Sequence, residues 1–358
     1  MTNYAAAIPL LSTSIMKNNA PSRHRQQLTD VISALLIILS VLLTFFGWQY
    51  VKNDQLSDAQ TRFNEITIQT TDQIVKRLSH YNDALYSLRA YFYSVDDINN
   101  ARWQTFTENQ RTFDIYPGVA ALAYVEQVEP EQLDEFLASV RSDTSTGDEY
   151  AENFEIFPEL NSTADTYNIA RYVSVSSGRT PATGFNLSSE PARTTALNNA
   201  TVTGTTANSG PVALVHSKDP GFQIYLPIYE NTTTPETTTA RKQLIVGHVA
   251  AVFNAQDLFG RFTAYLDQEI SLTVSDINSD PQLYQVNPQN DEPKIDTIDT
   301  IEVAGRNWQL IYKSSPEFEQ NYLDASQQLT VAAVGSAFTV LTVYFVRDRY
   351  RRHLRDSH

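Results

Sequence analysis

The chain has 358 residues and no cysteine, with 41 acidic against 26 basic side chains and a formal net charge of −15. Its 42% apolar and 11% aromatic content excludes a wholly disordered chain, and its length holds about two domains. The acidic balance argues against nucleic acid, whose phosphates need a basic face. The missing cysteines remove disulfide frameworks, thiol catalysis and cysteine-based metal centres.

Residues 1–30 carry three basic groups and one acidic, and read as a tail. Val31–Trp48 (VISALLIILSVLLTFFGW) then runs for 18 residues without a charge. Such a helix is long enough to cross a hydrocarbon core of ~30 Å, with Trp48 and Tyr50 at the interface. We take residues 31–50 as a first span; a buried core helix is the alternative. No small-x-small site follows, so an uncleaved anchor is expected rather than a signal peptide.

From Val51 to Val95 there is no Gly or Pro. Phe63, Ile66, Ile74, Leu78, Tyr81, Leu85, Leu88 and Phe92 recur at spacings of three and four, with Thr70 in the remaining slot. The pattern predicts a stalk helix over residues 51–95, about 60 Å long. Ile66, Thr70 and Ile74 in its lower half are candidates for pairing with a second copy, and the aromatic upper half for packing on the domain.

Mixed α and β patterning follows. Asp96–Asn100 caps a short helix over 101–113, and Val119–Val128 is rich in strand formers. An amphipathic helix is predicted over 130–142, a strand over 167–175, and a helix over 191–199 capped by Ser188 or Ser189. Pro211–His216 and Phe222–Tyr229 flank Lys218–Gly221 (KDPG), a hairpin signal. Residues 96–230 form a first α/β subdomain, and the Thr-rich stretch 230–240 is a polar loop. A second subdomain over 241–315 takes strands at 244–253, 272–277, 297–303 and 308–312, a helix at 255–266 and a polar loop at 278–293. A connecting helix (316–328) leads to a second uncharged run, Leu329–Val346, and residues 347–358 carry five arginines.

Basic residues flank both spans on their outer sides, while the segment between carries the acidic excess. By the positive-inside rule both termini are cytoplasmic and residues 52–327 lie outside, at the plasma or inner membrane. Four Asn-x-Ser/Thr sequons, at Asn161, Asn186, Asn199 and Asn231, fall in that outer segment.

Catalytic motifs are missing: no phosphate loop, dinucleotide fingerprint, GxSxG or HExxH. The six histidines include no pair within four residues. His216 and His248 lie on predicted strands and read as structural, and Ser14–Lys17 matches a serine–lysine spacing within the tail. The chain is therefore expected not to be an enzyme and to need no cofactor or metal.

Tyr116–Glu126 (YPGVAALAYVE) resembles the YPG[IV]xALxYVxxV signature of CHASE domains, extracellular sensory modules of plant cytokinin receptors and bacterial signalling proteins. Leu85–Ser94 (LYSLRAYFYS), Gly184–Arg193 (GFNLSSEPAR) and Gly221–Tyr229 (GFQIYLPIY) follow in the family's order, and the likeness covers roughly residues 60–265. It implies an α+β fold: the stalk helix, a membrane-distal PAS-like subdomain that binds a small ligand, and a membrane-proximal PAS-like subdomain. It also implies a homodimer. The family's GFDLxSxPxR segment has an Asp that reads adenine in the plant receptors; here Asn186 stands there, and an amide donates as well as accepts. Matching the pocket strands adds Asn208, Ser209, Pro211 and Leu214 on one wall and Tyr225 on the facing strand, where the plant receptors carry a smaller residue, so the pocket is expected to be partly filled. Tyr172 and Phe185 complete the candidate ligand-binding set. Each has a structural alternative: Tyr225 and Leu214 as hairpin core, Phe185 as core, Asn186 bonded to the following turn.

The family's members usually carry an output domain after the second span, whereas 12 residues follow it here. The expected function is a membrane-anchored sensor of a small molecule, its output supplied by a cytoplasmic or membrane partner. The alternatives are a ligand-free adaptor with the same fold, a truncated sensor kinase or diguanylate cyclase, and a membrane-bound hydrolase that would betray itself by clustering His216 or His248 with a carboxylate.

Overall fold

The computed structural model describes residues 23–355 except 162–163, 264–265, 267, 280–281 and 287–289; Ser14–Lys17 lies outside the described residues. The chain divides into two compact units. One is Asp58–Leu323, and the other comprises the flanking segments up to Ser57 and from Asp324.

The first helix, α1, runs unbroken over Arg23–Ser94, joining the expected span and stalk in one element. After it come α2 (Asn100–Gln110), α3 (Thr112–Ile115), β1 (Val119–Val128), α4 (Leu133–Arg141), α5 (Asp148–Glu152), β2 (Tyr167–Val175) and α6 (Pro191–Thr203). Then follow β3 (Ala207–Asn208), β4 (Val212–Ala213), β5 (Pro220–Tyr229), α7 (Thr238–Gln243), β6 (Ile245–Asn254) and α8 (Ala255–Phe259). The last elements are β7 (Ile270–Asp276), β8 (Tyr284–Val286), β9 (Asp296–Val303), β10 (Arg306–Ser314), α9 (Pro316–Tyr322) and α10 (Ser326–Arg355).

The strands form two antiparallel sheets: six strands in the order β2-β1-β6-β5-β3 with β4 also on β5, and four in the order β8-β7-β10-β9. This corrects the expected subdomain boundary at 241. The strand assigned to the second subdomain, β6, is the centre of the first sheet, paired from Val119↔Phe253 to Glu126↔Gly247 on one side and along β5 on the other. Local sequence specifies a strand but not its partner. The hairpin is also redrawn, since its turn falls at Leu214–Asp219 and Pro220 already belongs to β5. Asn99 caps α2 through Arg102 N, whereas α6 starts at Pro191 without a side-chain cap from Ser188 or Ser189.

Ala59, Phe63, Ile74, Leu78, Tyr81, Leu85 and Leu88 of α1 are all buried, a helical stripe set against the sheets. Each fully buried large apolar side chain stabilises by roughly 1.5–3 kcal/mol. Thr71 Oγ1 donates to Asp299 Oδ2 at 2.7 Å, and Phe63 meets Phe318 edge-on at 5.9 Å, so this stretch lies against the four-stranded sheet. Higher up, Tyr81 donates to the Pro117 carbonyl and packs on Phe253 at 4.8 Å. Ile74 and Thr70 therefore face their own domain and are not available to a second copy. Ile68 and Val75 are the exposed apolar residues of that stretch, at 59% and 44%. Phe222 and Trp308 touch at 4.7 Å, so both sheets share one core.

In the other unit the start of α1 lies beside α10. Ser40 and Thr339 hydroxyls meet at 3.0 Å, Gln328 donates to Gln55 Oε1 at 2.9 Å, and a Cβ on Gly335 would overlap Thr44. The pairing runs in opposite directions, and its small and hydroxyl residues let two helices approach closely. Both helices are long and apolar enough to cross a membrane, and almost none of either apolar window is buried within the chain.

Candidate functional site

The two faces of the six-stranded sheet differ in side-chain volume. Leu122, Tyr124, Phe222, Ile224, Val249 and Phe253 fill the face toward α1. The opposite face carries Ala121, Ala123, Val125, Ala170, Ala250 and Val252. Methyl groups cannot reach the layer above. A cavity of about 350 Å³ remains, within the range of small-molecule sites.

Above it lies the segment from Gly184 to Ser189. Gly184 has φ of +81° and sits against the Glu155 carbonyl, where a Cβ would collide. Only glycine permits that approach, which sets Phe185 and Leu187 into the cavity wall. The Leu214–Ser217 turn closes another side, and Arg179, Thr180 and exposed His216 stand at the rim. Arg179 Nη2 pairs with Asp257 Oδ2 at 2.5 Å, and His216 Nε2 lies 3.3 Å from the Pro181 carbonyl.

The polar member of the sheet face is Gln223 on β5, 5% exposed and lining the cavity. The Tyr225 hydroxyl donates to its Oε1. Burial pushes the Tyr225 phenol far up, against the opposing pull of the Arg193 guanidinium. Arg193, from the first turn of α6, is fully buried. Its Nε donates to Glu190 Oε2 at 2.7 Å, its Nη2 to the Ala213 carbonyl at 2.8 Å, and it lies 5.1 Å over the Phe185 ring.

Two of the sequence-predicted residues, Phe185 and Leu214, line this cavity. Asn186 is buried beside it, where its Oδ1 accepts from Ser188 N at 3.1 Å, bonding to the following turn. Asn208 faces the second sheet: its N donates to the Ala304 carbonyl at 2.9 Å and its Nδ2 to Val303 at 3.3 Å. Ser209 Oγ accepts from Gln223 N at 2.9 Å and donates to the Gly210 carbonyl. Tyr225 is not among the lining residues; it is fully buried on the same sheet face, clustered with Ala121, Ala123, Phe185 and Leu187 and bonded to Gln223.

Tyr172 lies on the opposite face, donating to the Ile98 carbonyl at 3.0 Å and stacked on Trp103. The cause is a β-bulge. Tyr124 pairs with Tyr172 but Val125 pairs with Ala170, leaving Arg171 as the extra residue. Arg171 leans to Glu126 at 2.8 Å, and the alternation inverts across it. Sequence reading passed over Gln223, Arg193 and the alanines. The alternation of Ala121 and Ala123 with Leu122 and Tyr124 was the available signal.

His248 is buried under α6, its Nε2 3.0 Å from Thr201 Oγ1 and 3.2 Å from the Leu197 carbonyl. Burial lowers its pKa from 6.5 to about 4, partly offset by the Leu197 hydrogen bond.

The fold and cavity define an α+β module with one hollow sheet face, built on a long helix. The chain belongs to the CHASE domain family, whose model matches residues 96–284. Among solved structures it is similar to the ligand-binding domain of the Pseudomonas aeruginosa PAO1 amino acid chemoreceptor PctC in complex with GABA. That match has a TM-score of 0.38 and 10% identity, covering 71% of this chain and 98% of that one. It is also similar to the sensory domain of the Campylobacter jejuni chemoreceptor Tlp3 with isoleucine bound (TM-score 0.40, 9% identity, 75% and 98% covered). The Tlp3 domain in complex with L-valine matches with a TM-score of 0.38, at 9% identity and the same coverage. No curated protein gives a significant match.

Proposed function

We propose that this chain is a membrane-anchored, extracytoplasmic sensor that takes a small molecule into the cavity and passes the event across the membrane through α1 and α10. The observation that carries the reading is the cavity of about 350 Å³ on the alanine face of the CHASE domain. The continuity of α1 from Arg23 to Ser94 supports a mechanical route from domain to span. A ligand acts on such a route only through different affinities for two arrangements of the helices, with a coupling of ~1–3 kcal/mol.

In this reading both termini are cytoplasmic, residues 52–327 lie outside, and the chain acts by binding rather than catalysis. It works as a homodimer, and the exposed Ile68 and Val75 are the side chains we assign to the contact between stalks.

The test is thermal unfolding of the full chain in detergent against a metabolite library, beside Ala123→Leu, which fills the cavity. A native-state ligand raises the melting temperature in a concentration-dependent way. A hit that stabilises the wild type and leaves Ala123→Leu unmoved supports the reading. Hits that stabilise both equally place binding elsewhere.

A further inference from the structure

We propose that the cavity selects an uncharged, largely apolar molecule bearing one hydrogen-bond acceptor, a carbonyl oxygen or ring nitrogen, which takes a hydrogen from the Gln223 side-chain amide. The proposal rests on the reading of this cavity as the sensing site and names the chemistry it accepts.

An amide side chain has a donor end and an acceptor end, and a neighbour that engages one end fixes which faces outward. Here the Tyr225 hydroxyl donates to Gln223 Oε1. The Arg193 guanidinium stands beside Tyr225, held by Glu190 and the Ala213 carbonyl. A cation there attracts the phenol's lone pairs and turns its hydrogen toward Gln223. The amide oxygen is thereby occupied, and Nε2 is the end left for the cavity. Among the described residues none accepts a hydrogen bond from it. A ligand that displaces water from this end of the cavity must replace the hydrogen bond the amide nitrogen would otherwise give to water, so an acceptor placed there is favoured over an apolar group.

The remaining lining sets the ligand's charge. Among the described lining residues there is no carboxylate to receive an ammonium group. The one permanently charged side chain there, Arg179, is already paired with Asp257 at the rim. A zwitterionic amino acid would bring an ammonium group that no lining carboxylate meets, and burying unpaired charge is strongly unfavourable. An uncharged ring or carbonyl compound meets no such cost.

The experiment compares quinoline with naphthalene, the same shape with and without a ring nitrogen, and with L-phenylalanine. Binding to the full chain in detergent is measured by calorimetry, below the solubility limit of naphthalene. We expect quinoline to bind about tenfold tighter than naphthalene, the preference one well-placed hydrogen bond supplies. The preference disappears in Gln223→Leu and shrinks in Tyr225→Phe, which frees the amide to turn over. Should Gln223→Leu fail to fold, the wild-type preference and its reduction in Tyr225→Phe still decide the matter. Equal binding of the two probes, lost in Ala123→Leu, overturns the donor role of Gln223 while the cavity reading stands. L-Phenylalanine binding tighter than quinoline, and likewise lost in Ala123→Leu, overturns the uncharged class. Binding of none of the three, or binding untouched by Ala123→Leu, overturns the cavity reading itself.

Discussion

The six-stranded sheet presents two faces built from the same strands, one filled and one hollow. On β5, Phe222, Ile224 and Leu226 point toward α1 while Gln223 and Tyr225 point away. On β6, Val249 and Phe253 oppose Ala250 and Val252 in the same manner. Side-chain volume on alternate residues therefore decides which face is packed and which is left hollow. The filled face carries the stability and contacts α1; the hollow face has room for a ligand. The cavity on one face and α1 on the other are separated by the thickness of one sheet.

The largest expected contrast is between truncating the filled face and enlarging the hollow one. Phe222 is fully buried, stacked on Phe253 and in contact with Trp308. Phe222→Ala is expected to destabilise by about 3–5 kcal/mol. Ala123→Leu grows into existing space and is expected to change stability by less than ~1.5 kcal/mol. Denaturant unfolding of both variants checks this; equal losses would mean the second face is already full.

Acid acts on the far end of the hollow face, through His248. Its folded pKa lies near 4, below the unfolded 6.5, so the unfolded chain takes up the proton first as pH falls. The stability at stake is fully present above 6.5 and is lost between 6.5 and about 4, by about 3 kcal/mol in total. His248→Gln is expected to flatten that part of the stability–pH curve in thermal melts. An unchanged slope would remove His248 as its source.

A smaller effect is expected at Asn208, which ties the edge of the first sheet to the β9–β10 turn. Gly210 beside it has φ of +71° and lies against the Arg306 guanidinium, itself paired to Asp276 at 2.5 Å. Burial works to raise the Asp276 pKa, but its bonds to Arg306, Asn278 and Ser279 hold the carboxyl below the usual range. Asn208→Ala removes the Nδ2 bond to the Val303 carbonyl and the bond Oδ1 accepts from Gly210 N, and is expected to cost ~1–2 kcal/mol, read by denaturant unfolding. The smallest stability change, within ~0.5 kcal/mol, belongs to Ile68→Asp with Val75→Asp on exposed α1. Under the proposed homodimer, these substitutions are expected to leave a monomer in detergent by light scattering, with the fold intact; a dimer that persists would remove Ile68 and Val75 from the contact.

Local pattern carried much of this fold in the sequence. The absence of Gly and Pro and the three–four spacing gave the stalk, and β1 and β2 fall on the residues where strand formers cluster. What local pattern lacks is pairing. β6 joins β1, more than a hundred residues earlier, as well as its neighbour β5, and a bulge at Arg171 turned Tyr172 away from the cavity although its strand was correctly located. The apolar spacing of α1 also marked Ile74 as interfacial without saying whose surface it meets. At the site, motif matching reached Phe185 and Leu214. It overlooked Gln223, because a single polar residue on a buried strand acquires meaning only once Tyr225 is seen to engage its oxygen.

The central claim is that ligand enters the hollow face and leaves the filled face packed. It is tested most directly by 19F NMR of the full chain with 4-fluorophenylalanine at Phe185, in the cavity wall, and at Phe222, behind the strand. On titration with a compound that raises the melting temperature, the account predicts a saturating shift at position 185 and a much smaller one at 222. A shift at 222 with none at 185 would contradict it.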